Sequence, residues 1–123
     1  MNELVEVLNL DFIQLTGDES LDFMRNCVRP VIKTIRSDLK LAKKFYDAGA
    51  VILFDGDVPG SGESCNHKLI KDFNGSFFLA GGINPLNVEE IIDEVKPMGI
   101  DIASGVETDG VFDRKKLLSI LKI

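Results

Sequence analysis

Residues 77–107 read FFLAGGINPLNVEEIIDEVKPMGIDIASGVE, and this stretch decides the fold. Phe77–Ala80 is a short run of apolar and aromatic residues, too short for a helix and bounded by a glycine pair, so it reads as a buried strand. Asn84-Pro85 then opens a helix with Val88, Ile91, Ile92 and Val95 at i, i+3, i+4 and i+7, and Pro97 closes it. Ile100–Ala103 (IDIA) is a second strand-like run, ending in Ser104-Gly105. Strand, helix and strand in that order form one βα unit and the start of the next.

Working outward, the same pattern recurs upstream. Phe12–Leu15 (FIQL), Val31–Ile35 (VIKTI) and Val51–Phe54 (VILF) are further strand candidates, each followed by a polar or glycine-containing turn. Asp18 and Asp38 stand where a capping oxygen and early negative charge favour a helix start. The second of these helices places Leu39, Ala42 and Tyr46 on one face and stops at Gly49. Asp113 caps a last helix with Leu117, Leu118 and Leu121 inward, and Glu3–Leu8 reads as the end of a further one.

Strands alternating with helices imply a parallel sheet with right-handed crossovers. Two α/β architectures compete. A doubly wound open sheet of five strands fits 123 residues, whereas a closed eight-stranded barrel typically takes roughly 200 or more. A net charge of −6 argues against a nucleic-acid footprint, which is usually basic. It leaves room for a phosphorylated small molecule, because backbone N–H groups can hold a phosphate. No apolar run is long enough for a membrane span, and MNELVEVLNLDF lacks the basic flank of a secretory signal, so a cytoplasmic protein is expected. Cys27, Cys65 and His67 lack metal-ligand spacing, and no structural metal site is expected. Cys27 reads as a small buried residue, Cys65 as a loop thiol and His67 as solvated.

The unusual residues gather just after the strand candidates, at the edge where parallel α/β folds bind ligands. Gly81 and Gly82 let the backbone approach a ligand and turn its N–H groups outward, and Ser104 with Gly105 can form the other half of a phosphate cradle. The alternative for each is a tight strand-to-helix turn. Asp55 ends the apolar run VILFD at the same edge, where a part-shielded carboxylate can act as a general acid, or can merely bond its own backbone near Gly56. Asp57, Glu63, Asp101 and Glu107 lie nearby, and surface charge is the plainer reading for most of them.

Taken together, IQLTGDES, PVIKTI, VILFDGDVPGSGES, FFLAGGINPLNVEE and DIASGVETDGVFDRKKL resemble phosphoribosylanthranilate isomerase, from about residue 3 to the end. The resemblance implies a (βα)8 TIM barrel. It also implies a cofactor-free rearrangement of N-(5-phosphoribosyl)anthranilate in tryptophan biosynthesis. A general acid opens the ribose ring, and a general base then removes the C2 proton of the Schiff base. Asp55 resembles the general acid, Gly81, Gly82, Ser104 and Gly105 the phosphate cradle, and Asp101 a further substrate-side polar residue.

The departures are equally specific. Thr16 stands where the family usually has histidine, and SCNH (64–67) replaces an aromatic-containing stretch. The first-strand K-CG motif, whose cysteine is the base, and the second-strand arginine that grips the anthranilate carboxylate are absent from these residues. The five runs therefore correspond to strands four through eight, and the expectation is a single partial-barrel domain over residues 1–123 without the first three βα units. Two unpaired edges, around Phe12–Leu15 and Ile100–Ala103, would invite homodimerisation, pairing with an N-terminal barrel fragment, or rearrangement to an open sheet. The chain alone is expected to be inactive. The alternatives are a phosphosugar-binding module without chemistry and a self-associating barrel fragment.

Overall fold

The computed structural model describes residues 1–56 and 67–123. Asp57, Glu63 and Cys65 lie outside the described residues. All five strand candidates form strands, β1 (Ile13–Leu15), β2 (Val31–Ile35), β3 (Val51–Phe54), β4 (Phe77–Ala80) and β5 (Gly99–Asp101), and they pair in parallel in the order β1-β2-β3-β4-β5. The fifth strand begins and ends earlier than Ile100–Ala103, because the chain tightens into a 3-10 turn at Ser104–Val106.

Strand order and helix placement resolve the competition between architectures. The register sets Ile32 beside Val51, Leu53 beside Phe78 and Ala80 beside Asp101, so these residues share one face. Leu15, Ile35, Ile52, Phe54, Phe77 and Leu79 point to the other face. That second face carries the core, and every helix among the described residues contributes to it: Val5 from α1 (Asn2–Val7), Met24 from α2 (Leu21–Arg25), Phe45 from α3 (Leu39–Asp47), Ile70 from α4 (His67–Ile70), Val88 from α5 (Val88–Val95) and Ile120 from α6 (Arg114–Leu121). A doubly wound sheet reverses its strand order and carries helices on both faces. Sequential strands with all helices on one face are instead a sector of a barrel, with the uncovered face corresponding to the barrel interior. Phe54 and Phe77 meet edge-to-face at 5.3 Å under the helices, and Phe73 joins Phe54 at 5.4 Å. Burial of each such ring contributes roughly 1.5–3 kcal/mol.

The helix starts required several corrections. Asp38 and Asp113 cap as expected, accepting from Leu41 N at 2.9 Å and from Lys115 N at 2.9 Å. Asp18 does not; Ser20 caps α2, its hydroxyl accepting from Phe23 N at 3.1 Å. Asn84-Pro85 forms a turn before α5 instead of its first residues, since Asn84 spends its carbonyl on Leu86 N at 2.8 Å and the helix begins after Asn87. In α6 Ile120 is the buried residue, whereas Leu118 and Leu121 are exposed. A two-stranded antiparallel hairpin, β6 (Glu107–Thr108) and β7 (Val111–Phe112), was not anticipated, although its Asp109-Gly110 turn, both at positive φ, is a strong hairpin signal. No helix among the described residues is long and apolar enough to cross a membrane.

Candidate active site at the strand ends

The carboxyl ends of β3, β4 and β5 bring the sequence candidates onto one rim. Asp55 stands one residue past Phe54, whose partner is Leu79, and is therefore level with Ala80 and, across the next pair, with Asp101. Two strand spacings separate Asp55 from Asp101, roughly 10 Å, with the end of β4 between them. Asp55 is half-buried and held by its backbone, its N–H donating to Ile35 O at 3.0 Å. Its carboxylate accepts from Gly56 N at 2.7 Å, the local bond that was the alternative to a general-acid role for this residue. Asp101 is exposed on the uncovered face.

Gly81 and Gly82 turn the chain at φ +90 and +67, a region costly for side chains with a Cβ. A Cβ on Gly81 would stand 2.7 Å from Gly56 N and 2.9 Å from Asp55 Oδ1, so the β4 turn lies directly against the Asp55 turn. Gly105 is closer still to its neighbour, because a Cβ there would fall 1.7 Å from Ile83 O. The two halves of the expected cradle are thus in contact, and Ser104 presents its side chain to solvent beside them.

Two supporting arrangements were not legible as site features. The Asn87 side chain donates to Gly82 O at 2.8 Å and accepts from Asn84 N at 2.8 Å, so one amide fixes both ends of the glycine turn. The asparagine spacing of 84 and 87 was the only signal. Lys33, in the middle of β2, is buried on the helix side; its ammonium donates to Gly17 O and to Glu19 Oε2, the latter at 3.2 Å, and lies 5.4 Å from the Phe45 ring centroid. Glu19 in turn accepts from Gly17 N at 3.1 Å. Partial burial alone would raise the Glu19 carboxyl, but hydrogen bonds from its own and the Gly17 backbone, with the Lys33 ammonium, outweigh it and hold the group below its ordinary value. A charge in VIKTI should have suggested such a tether.

The remaining candidates have other surroundings. Cys27 packs half-buried against the core with its thiol toward Phe23 O at 3.4 Å. His67 opens α4 and is not solvated as expected; its Nε2 is shielded and has no hydrogen-bond partner among the described residues. Glu107 enters β6, and its carbonyl accepts from the Lys116 ammonium.

A family model described as N-(5'phosphoribosyl)anthranilate (PRA) isomerase matches residues 1–123. The chain belongs to the PRA isomerase family. A PRA isomerase of Thermoanaerobacter pseudethanolicus is 39% identical over 129 residues, covering 98% of this chain and 64% of its own length. The crystal structure of PRA isomerase from Thermus thermophilus superimposes with a TM-score of 0.80 at 33% identity, covering 98% of this chain and 63% of that one. A further PRA isomerase structure, in complex with reduced 1-(o-carboxyphenylamino)-1-deoxyribulose 5-phosphate, gives a TM-score of 0.78 at 28% identity, covering 98% of this chain and 62% of that one. The chain spans about 60–64% of the length of the curated PRA isomerases it matches first.

Proposed function

We propose that this chain contributes the acid and phosphate-binding part of a PRA isomerase active site, acting in the cytoplasm in tryptophan biosynthesis. Asp55 donates a proton to the furanose oxygen as the C1–O bond breaks, and the anilinic nitrogen lone pair forms the Schiff base. Removal of the C2 proton then gives the enolamine that becomes the ketose. Gly81, Gly82, Ser104 and Gly105 hold the 5-phosphate through backbone N–H groups and one hydroxyl, and Asp101 faces the substrate from β5. The observation that carries this reading is the contact of the Asp55 turn with the Gly81 turn, which sets a carboxylate beside a backbone able to anchor an anion.

The base is a separate matter. The family's first-strand cysteine has no counterpart in the motifs of residues 1–123, and neither Cys27 nor Cys65 occupies an equivalent position. The reading is therefore of a single partial-barrel unit that binds the phosphorylated substrate but turns over only when the first three strands are supplied. Loss of general-base catalysis alone removes roughly 10²–10⁴ in rate. The bond from Gly56 N to Asp55 favours a second reading, in which the carboxylate only shapes its turn and the chain is a phosphosugar-binding module.

Fluorescence titration with reduced 1-(o-carboxyphenylamino)-1-deoxyribulose 5-phosphate tests the binding half of the proposal. Saturable binding, competed by inorganic phosphate and weakened several-fold by Ser104→Ala, is the expected result. Absence of binding, or binding indifferent to phosphate and to Ser104→Ala, would remove the cradle.

A further inference from the structure

Of the chain's seven asparagines, Asn74 alone is followed by glycine. An asparagine loses its side-chain amide when the backbone nitrogen of the next residue attacks its Cγ, so the bulk of that next residue and the freedom of both reacting groups govern the rate. Most of the other asparagines are held or hindered. The Asn2 amide donates to Asn26 O at 2.9 Å and accepts from Val28 N at 3.3 Å. Asn26 donates to Asp22 O at 2.8 Å. Asn87 makes its two bonds to the glycine turn and precedes the β-branched Val88. Asn84 precedes Pro85, which has no N–H to lose.

Asn74 and Gly75 form the bend between α4 and β4. Asn74 is exposed and borders a groove of about 210 Å³, open to solvent, with Leu39, Lys43, Asp72 and Phe73. Among the described residues its side-chain amide has no hydrogen-bond partner, and the Gly75 N–H donates to none. Both reacting groups therefore lack the bonds that restrain Asn2 and Asn87. Packing keeps glycine at position 75. A Cβ there would lie 2.9 Å from Tyr46 Cζ and 3.0 Å from Phe73 Cε1. The Tyr46 and Phe73 rings meet edge-to-face at 5.6 Å, and Phe73 leans on Phe54 and Phe77 at 5.4 and 6.0 Å. A side chain that would hinder the attack has no room unless this aromatic cluster moves.

We propose that Asn74-Gly75 is a site of spontaneous deamidation with isoaspartate as its main product. Gly75 N gives up its proton to water and bonds to Asn74 Cγ. The Cγ–Nδ2 bond breaks, the nitrogen leaves as ammonia, and a cyclic succinimide closes. Water then adds to one of the two imide carbonyls. Opening at Cγ yields aspartate, and opening at the main-chain carbonyl yields isoaspartate, whose chain runs on through the side-chain carbon. Either product adds a negative charge to a chain already at −6, beside Asp72. Isoaspartate also inserts a methylene into the backbone just before β4, against the Tyr46 and Phe73 rings that hold Gly75. The proposal stands independently of the assigned reaction.

Incubation of the 123-residue chain at neutral pH and body temperature, followed by peptide mass spectrometry, tests it. Cleavage after lysine and arginine, blocked at Lys96 by Pro97, releases residues 72–114 as one peptide that also carries Asn84 and Asn87. Conversion at Asn74 should be roughly tenfold or more faster than at Asn87, and within about tenfold of its rate in the urea-unfolded chain. The product should accept a methyl group from S-adenosylmethionine through an isoaspartyl methyltransferase, and Asn74→Gln should abolish that signal. The aged form, separated by its added charge, should melt below Asn74→Asp, which carries the charge without the extra methylene. An intact Asn74 over a period in which the unfolded chain converts, equal rates at Asn74 and Asn87, or methylation undiminished in Asn74→Gln would overturn the site. Equal melting of the aged form and Asn74→Asp would overturn isoaspartate as its product.

Discussion

A Cβ on Gly105 would lie 1.7 Å from the carbonyl oxygen of Ile83. The 3-10 turn after β5 therefore rests on the backbone just beyond the glycine pair, and neither half of the rim can move without the other. Backbone offers no rotamer to yield, so Gly105→Ala must displace one turn. A loss of about 2–3 kcal/mol is expected, as for other overpacked sites. Gly110, at φ +77 with open space around it, provides the control, and Gly110→Ala should cost only about 1 kcal/mol. Urea denaturation of the two variants measures the difference; equal losses would contradict the contact.

The Lys33–Glu19 pair is asymmetric, the lysine side chain being 3% exposed and the glutamate 23%. Glu19→Ala leaves a buried ammonium with one carbonyl partner and should cost about 3 kcal/mol. Lys33→Met leaves a carboxylate that water can reach and should cost less, about 1 kcal/mol. The reverse order in denaturation midpoints would contradict this account of the tether.

The lowered Glu19 carboxyl also fixes a direction in pH. Its folded-state value lies below the ordinary 4.5, so its contribution is fully present above that value and is lost as pH falls through the lowered one. Stability measured from pH 6 down to pH 3 should decline less steeply in Glu19→Gln than in the unmodified chain. Identical profiles would show that the interaction does not persist in solution.

Asn87 joins both ends of the glycine turn through two side-chain hydrogen bonds. Asn87→Asp keeps the acceptor for Asn84 N, loses the donor to Gly82 O and adds negative charge beside the proposed cradle. Ligand affinity should fall at least tenfold while the melting temperature shifts by only a few degrees. Unchanged affinity would mean that the glycine turn is not the phosphate site.

What the sequence revealed followed the strength of its local signals. Apolar runs such as VILF and FFLA have few ways to be buried, and all five became strands within a residue or two. Their pairing order and the side on which helices lie are tertiary facts, and composition alone left the open sheet and the barrel in competition until the motifs were weighed. Helix starts were harder, because Asp18 and Ser20 are both good caps, and in the structure Ser20 takes the role. At the rim, glycine pairs announced close approach, but the partner of each approach, Gly56 for Gly81 and Ile83 for Gly105, lies on another segment and leaves no mark in the local pattern. The Asn87 bridge and the Lys33 tether did leave local marks, the asparagine spacing and a charge inside an apolar strand, but their partners lie outside the local pattern.

The central proposal is that this chain carries the acid and the phosphate cradle of a PRA isomerase site whose base the first three strands supply. It is tested most directly by isomerase turnover of the purified chain, with and without a fragment carrying the first three strands of a related enzyme, followed by loss of anthranilate-type fluorescence. The account predicts no turnover alone, turnover on complementation, and its abolition by Asp55→Asn. Turnover by the chain alone, or complemented activity indifferent to Asp55→Asn, would contradict it.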